Sequence, residues 1–178
     1  MLSFLSERGI DGATVLEIGG GVGEVQLELL KLGAARTVNL ELSPAYDGEA
    51  ASLARETDFE GRMERRLLDI AANPDDVEAA DVVVLNRVVC CYPDYTRLLG
   101  AAADHARRLL VFSYPPRNAA SRLVLGAENL RFRLQRKEFR TFAHPPARML
   151  EVVESRGLRQ AYAHRPLVWQ IAGFERAG

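Results

Sequence analysis

A single α/β domain on a doubly wound, mostly parallel sheet is the fold class this sequence predicts. Three observations carry it. Apolar strand-like runs alternate with helix-like segments, the pattern of consecutive βαβ units. One run, Asp81-Val82-Val83-Val84-Leu85, is continuous and β-branched, as suits a strand buried on both faces. The third is Val15-Leu16-Glu17-Ile18-Gly19-Gly20-Gly21-Val22-Gly23. It reads as a buried strand, an acid near its end, a tight glycine turn and a helix entry, which brings backbone amides close to a ligand.

The elements follow in order along the 178 residues, a length that suits one domain with a substantial core. A strand at 14–18 leads into a helix at 22–32, closed by Gly33 where a helix C-terminal glycine belongs. The next strand, 36–42, is followed by a helix at 44–57 with Ser43 as its cap and Pro44 at its first position. Strands at 63–68, 80–86 and 109–114 and a helix at 95–105 complete the repeating part. A helix at 146–156, ended by Gly157, precedes apolar runs at 158–164 and 167–174, split by Pro166. Two strands so closely joined predict an antiparallel hairpin, the sixth and seventh strands, finishing the sheet.

Composition narrows the function classes. No apolar stretch approaches the ~20 residues of a spanning helix, and the N-terminus lacks the marks of a signal peptide, so a soluble, cytoplasmic protein is expected. Cys90 and Cys91 are adjacent, which gives neither loop-closing nor zinc-ligand spacing, and three scattered histidines predict no metal site. Buried packing suits both cysteines better than nucleophilic work. The net charge of −1 hides an asymmetry. Between residues 117 and 140, seven basic residues (Arg122 and Lys137 among them) face two acidic ones, Glu128 and Glu138, so the segment carries +5 and the rest −6.

The glycine spacing bears on the ligand. A dinucleotide fingerprint beginning at Gly19 requires glycine at position 24, which is Glu24. The pattern present is E-x-G-x-G-x-G, with Glu17, Gly19, Gly21 and Gly23. It resembles motif I of the class I S-adenosylmethionine-dependent methyltransferases, whose parallel sheet also ends in an antiparallel hairpin. The resemblance therefore covers nearly the whole chain and implies that cofactor, with S-adenosylhomocysteine as product.

Further residues fall where such a ligand would lie, across the carboxyl ends of the strands. Glu41, about 20 residues past the loop, suits a ribose diol, with Leu42 beside it; an ordinary strand-end carboxylate is the alternative. By resemblance, Asp69 accepts from the adenine amino group and Ile70 packs on the ring, against a simple turn aspartate. Asn86 and Arg87 stand at the end of the fourth strand near the expected sulfonium, with a helix cap as the other reading of Asn86. Glu17 either attracts the cofactor's charge or organises the glycine loop.

Methyl transfer leaves the hard chemistry to the cofactor and asks the protein chiefly for alignment. No persuasive general base stands out. Tyr92 and Tyr114 are weak candidates, and His144 is the best titratable one, against a plain loop histidine before Pro145-Pro146. After the fourth strand the chain reads Asn86-Arg87-Val88-Val89, without the N/D-P-P-Y/F motif of many nucleobase-amine methyltransferases, so no nucleic-acid partner is expected.

Residues 117–144 form an insertion after the fifth strand. Leu123, Ala127, Leu130 and Leu134 recur at helical spacing and predict a packed stripe, with Arg133, Arg136, Lys137 and Arg140 mostly off it. A substrate cover, or an extra surface helix, is anticipated; its arginines suit an anionic small-molecule acceptor or peripheral contact with an anionic membrane. Residues 86–93 and Phe139-Arg140-Thr141-Phe142-Ala143-His144 are faintly similar to the magnesium-protoporphyrin O-methyltransferase branch. Such enzymes usually carry helices before the first strand, where residues 1–9 stand here, so a longer chain or an open site is expected.

Transfer of a methyl group to a small-molecule oxygen, ahead of nitrogen, is the leading expectation. A non-catalytic S-adenosylmethionine-binding or partner protein and an NAD(P)-dependent oxidoreductase are its rivals, and the oligomeric state is left open. NAD enzymes use the same ribose acid, so Glu41 alone does not choose between cofactors. The absence of a Tyr-x-x-x-Lys pair weighs against the last.

Overall fold

The structure, a computed structural model, describes residues 1–136 and 139–177. Seven strands form one sheet: β1 (Thr14–Ile18), β2 (Arg36–Glu41), β3 (Met63–Leu67), β4 (Ala80–Leu85), β5 (Ala106–Tyr114), β6 (Leu158–His164) and β7 (Gln170–Arg176). Their order is β3-β2-β1-β4-β5-β7-β6, with β1 to β5 parallel and β7 antiparallel to both its neighbours. The reversal of direction on either side of β1 opens a crevice at the carboxyl ends of β1 and β4.

The β-branched run explains why the sheet is buried on both faces. Val83 and Leu85 point into one core with Leu98, Leu99 and Ala102 of α4 (Tyr95–His105) and Met149 and Val153 of α6 (Pro146–Glu154). Val82 and Val84 point into the other, with Phe4 and Leu5 of α1 (Leu2–Arg8) and Leu29 and Leu30 of α2 (Glu24–Lys31). All four β4 residues are fully buried, as a period of two between two apolar layers requires.

Boundaries differ from expectation where backbone chemistry intervenes. The α2 helix starts at Glu24 rather than 22 because Gly23 adopts φ +96° and ends the loop. After Ser43 accepts from the Ala45 amide, Pro44–Tyr46 form a 3-10 turn that runs into α3 (Asp47–Arg55). β5 begins three residues earlier than the apolar pattern suggests, since Ala106 pairs with Ala80 across the exposed Arg107-Arg108 interruption. β7 begins at Gln170, opposite Tyr114, instead of at 167. The next residues of the β5 chain are Pro115 and Pro116, which have no N–H to extend the ladder, so Leu167 and Val168 remain outside it.

The largest departure is α5 (Ala119–Leu134). The stripe anticipated as its packed face points outward, leaving Leu123 and Leu134 each 76% exposed and Leu130 57%. The half-buried side is Ser121, Leu125, Asn129 and Phe132 instead. The cause is what lies beneath: Asn129 exchanges hydrogen bonds with the Thr141 backbone at 2.7 and 2.8 Å, and Phe132 meets Phe139 edge-on at 5.3 Å. Helical spacing identifies an apolar face but does not say which of two faces meets the body of the protein. The Arg122 side chain, Lys137 and Glu138 lie outside the described residues.

Candidate active site

The glycine turn after β1 is held by side chains from the neighbouring strands. Gly19 donates to the Leu40 carbonyl at 2.6 Å, Gly20 to Asn39 Oδ1 at 3.0 Å and Gly21 to Glu41 Oε2 at 2.9 Å. The Gly21 carbonyl accepts in turn from Arg65 Nη1 at 2.6 Å and from Asn39 Nδ2 at 3.4 Å. Arg65 also reaches the Ser43 carbonyl at 3.1 Å and the Asp47 carboxylate at 2.9 Å, joining the glycine loop to the loop after β2. Two of the glycines are sterically required. A Cβ on Gly20 would sit 2.5 Å from Glu17 Oε2 and 2.8 Å from Asn39 Oδ1; one on Gly19, at φ +67°, would sit 2.5 Å from Val88.

Glu17 lies beneath this turn, 1% exposed, and takes a hydrogen bond from the Gln26 amide. Its Oε2 has no hydrogen-bond partner among the described residues. Burial, reinforced by the nearby Glu41 charge, pushes its pKa up to about 8, so the group is mostly neutral at pH 7. It does not line the cleft described next. Of its two anticipated roles the geometry favours loop organisation over attraction of a cationic ligand.

Above the turn lies a cleft of about 630 Å³, within the ordinary range of small-ligand sites. It brings Gly19, Gly21, Glu41, Leu42, Asp69, Ile70 and Arg87 together on one wall system, with Tyr46, Tyr92 and Phe139. Gly23 and Asn86 are set back from it. Glu41 is 9% exposed and heavily engaged: Oε2 holds Gly21, while Oε1 accepts from the Leu42 and Ser43 amides at 2.8 and 3.0 Å. An ionised carboxylate offers about four acceptor positions, so three are already taken and about one is left for a ligand. A grip on both hydroxyls of a diol is thus not ready-made; anchoring of the glycine loop is.

Asp69 is divided in the same way. Oδ1 accepts from the Ala71 amide at 2.9 Å, the turn role, and Oδ2 accepts from the Tyr92 hydroxyl at 2.9 Å. Asn86 is no helix cap. Its Oδ1 accepts from Ser113 Oγ at 3.2 Å, and that oxygen accepts the Arg87 amide at 2.7 Å. Arg87 adopts φ +61°, rare for a side chain this bulky, and its guanidinium lies 5.2 Å from the Trp169 ring. Among the described residues lining the cleft it is the one cation.

The weak base candidates are placed against that role. Burial and the bond to Asp69 push Tyr92 up to about 12. Tyr114 is 3% exposed and burial raises its pKa. His144 Nε2 meets the Tyr92 carbonyl at 2.9 Å and must donate to it; its ring packs on Tyr95 and Phe142, and burial lowers its pKa. It pins the insertion to the 3-10 turn Val89–Cys91, as does Phe142 N–H donating to the Cys90 carbonyl at 2.7 Å. In that turn Cys90 is buried and Cys91 reaches the cleft wall, their sulfurs 3.6 Å apart. From the insertion Phe139 lines the cleft, whereas Arg133 and Arg136 are exposed and stand away from it.

Asn39 and Arg65 are the site residues that sequence reasoning passed over. Asn39 lay in plain view two positions before Glu41, on the same strand face. Arg65 pairs with Asn39 only through the β2–β3 register, and nothing local in Met63-Glu64-Arg65-Arg66-Leu67 separates it from Arg66. Among the described residues no group of three or more His, Cys, Asp or Glu side chains converges as a metal site.

A family model described as a methyltransferase domain matches residues 1–165. Ribosomal protein L11 methyltransferases of Aeromonas salmonicida (strain A449) and Enterobacter sp. (strain 638) are 36% and 31% identical over 85 residues. That stretch is 48% of this chain and 28% of each of theirs. Magnesium protoporphyrin IX methyltransferase of Synechocystis PCC 6803, solved with bound SAH, superposes with TM-score 0.80 at 20% identity, over 99% of this chain and 80% of that one. An O-methyltransferase family protein of Burkholderia thailandensis gives TM-score 0.76 at 23% identity, over 99% of this chain and 55% of that one. At these identities the structural likenesses establish the fold.

Proposed function

The chain belongs to the methyltransferase-domain family, and on that premise we propose that it uses S-adenosylmethionine to methylate a small-molecule acceptor, oxygen ahead of nitrogen. The observation that carries the reading is the tethered glycine loop opening onto a cleft whose wall combines Glu41, Asp69 and Ile70. Apolar Ile18, Leu40, Leu68 and Val88 line the same space, so a planar base and a polar ribose both find suitable surface there. S-adenosylmethionine, when bound, supplies an electrophilic methyl group for in-line displacement.

The chain's own residues then have positioning work. Gly19 and Gly21 bring backbone to the cleft, Glu41 and Leu42 border the ribose end, and Asp69 and Ile70 the base end. Among the described residues, Arg87 offers a carboxylate-bearing acceptor the one cationic contact on the wall. Tyr92, Tyr114 and His144 are held with their protons engaged or their pKa values displaced, which favours alignment over proton abstraction and an acceptor that needs no deprotonation.

Calorimetric titration with S-adenosylhomocysteine and, separately, with NADH and NADPH tests the cofactor. Binding of the first alone is expected; binding of a nicotinamide cofactor alone would overturn the reading in favour of an oxidoreductase. Transfer of tritiated methyl to a panel of carboxylated and phenolic acceptors tests the reaction. Cofactor binding without transfer to any acceptor would instead favour a non-catalytic binding protein. A protein acceptor is the second reading, favoured by the stretch shared with the ribosomal protein L11 methyltransferases. Label entering protein rather than small acids would decide for it.

A further inference from the structure

We propose that the outer face of α5 and the loop between β6 and β7 form a docking surface for an anionic lipid bilayer. The proposal concerns the outside of the insertion and is independent of what the cleft binds. On a helix of 3.6 residues per turn, Leu123, Ala127, Leu130 and Leu134 fall on one line. All four face solvent, with exposures of 76% for Leu123, 57% for Leu130 and 76% for Leu134, and Val124 beside them at 57%. An uninterrupted apolar stripe of this kind is far from the scattered single leucines of an ordinary surface.

The charge pattern names the occupant. Arg131 lies on one side of the stripe and Arg133 on the other by helical angle, both exposed, with Glu128 further round on the Arg131 side and Arg136 exposed just past the helix end. A single apolar line flanked by arginines is what an interfacial helix presents to anionic headgroups: the leucines enter the acyl boundary while the guanidinium groups remain at its surface. A second copy docking stripe to stripe would bring Arg131 and Arg133 toward their counterparts, so self-association through this face is opposed. The stripe also stands well out from the surface, Leu123 and Leu134 each being 76% exposed. A fluid layer accommodates a ridge without a matching groove.

A second prominence lies at the same end of the sheet, beyond the carboxyl end of β5. Because Gln170 pairs with Tyr114, the loop before β7 emerges beside the chain that leads into α5. That loop exposes Leu167 at 91% and Val168 at 67%, with Arg165 also exposed. This loop adds a second exposed apolar projection with an adjoining arginine at the end of the sheet from which α5 departs.

Flotation of the full chain with vesicles tests this. Vesicles of phosphatidylcholine alone and of phosphatidylcholine with about one-third phosphatidylglycerol are compared at low and high salt, with folding verified by circular dichroism. Binding to the anionic vesicles that weakens with salt is expected. Leu130→Asp with Leu134→Asp should lower partitioning at least about tenfold while melting as wild type, because both positions are exposed. Failure of the folded wild type to float with anionic vesicles would overturn the proposal, as would undiminished flotation of the double variant. So would sedimentation showing a wild-type dimer that the double variant dissolves, which would assign the stripe to a second copy. Calorimetry with S-adenosylhomocysteine separates these results from any failure of the cofactor reading.

Discussion

The glycine loop and the segment around α5, from which Phe139 lines the cleft, are built on opposite terms. The loop is one short turn whose successive peptides are each held by a strand: Leu40, Asn39 and Glu41 take its amides, and Arg65 takes its Gly21 carbonyl. The insertion is a long helix held at a few points, Asn129 on Thr141, Phe142 on Cys90 and His144 on Tyr92, with its most apolar line turned to solvent. The difference teaches where rigidity is concentrated. A site that must align reacting atoms within tenths of an ångström profits from a preorganised floor, and the α5 segment is under no such constraint along its outer face.

The comparison can be broken most directly at its tightest point. Gly20→Ala forces Glu17 or Asn39 to move, an overpacking of about 1–3 kcal/mol, and should cost up to about a hundredfold in S-adenosylhomocysteine affinity by calorimetry. Wild-type affinity would show that the loop is as adaptable as the insertion. Glu41→Ala removes three amide acceptors and any ligand contact; at about 1.5–3 kcal/mol it should cost ten- to a hundredfold in affinity. If anchoring is its main work the melting temperature falls as well, whereas an unchanged melt with lost affinity would return Glu41 to ligand contact alone. Arg65→Lys is expected to fail as a replacement, since an ammonium cannot reproduce a planar fork on three partners.

Glu17→Gln sharpens the electrostatic side. Glu17 has its folded pKa raised to about 8 from an ordinary 4.5, so the folded state binds the extra proton. The stability this contributes is fully present below about pH 4.5 and is lost as pH rises through about 8. The variant should melt with a shallower decline across that window, the difference between the two proteins being the readout. Parallel curves would mean that Glu17 is ionised in the fold. The smallest effect is expected at Asn129→Ala: about 1 kcal/mol or less, confined to faster hydrogen exchange near Thr141, with cofactor affinity within about twofold.

How much of this was legible before the structure follows the same division. The β4 run, the glycine spacing and the acid closing β2 announced themselves because local pattern and global position coincide there. The cleft wall therefore contains most of the residues anticipated for it, including Glu41, Asp69, Ile70 and Arg87. Gly23 and Asn86 stand back from it because one ends a loop and the other turns to Ser113. What was not legible depends on register or on choice of face. Arg65 acquires its role only once β3 is laid beside β2, and the raised pKa of Glu17 follows from its burial and the nearby Glu41 charge, which the fold alone supplies. The α5 stripe has the right period and the opposite orientation, since periodicity is blind to which side the protein body lies on.

Arg87 bears on any effort to harden this protein against heat. Its left-handed backbone costs about 1–2 kcal/mol relative to a residue that adopts it freely. Selection for thermal endurance alone would drift toward glycine or asparagine there, and the drift would strip the cleft of its guanidinium and release Trp169. The strained residue marks a trade between durability and recognition, and a library screened only for endurance would discard recognition first.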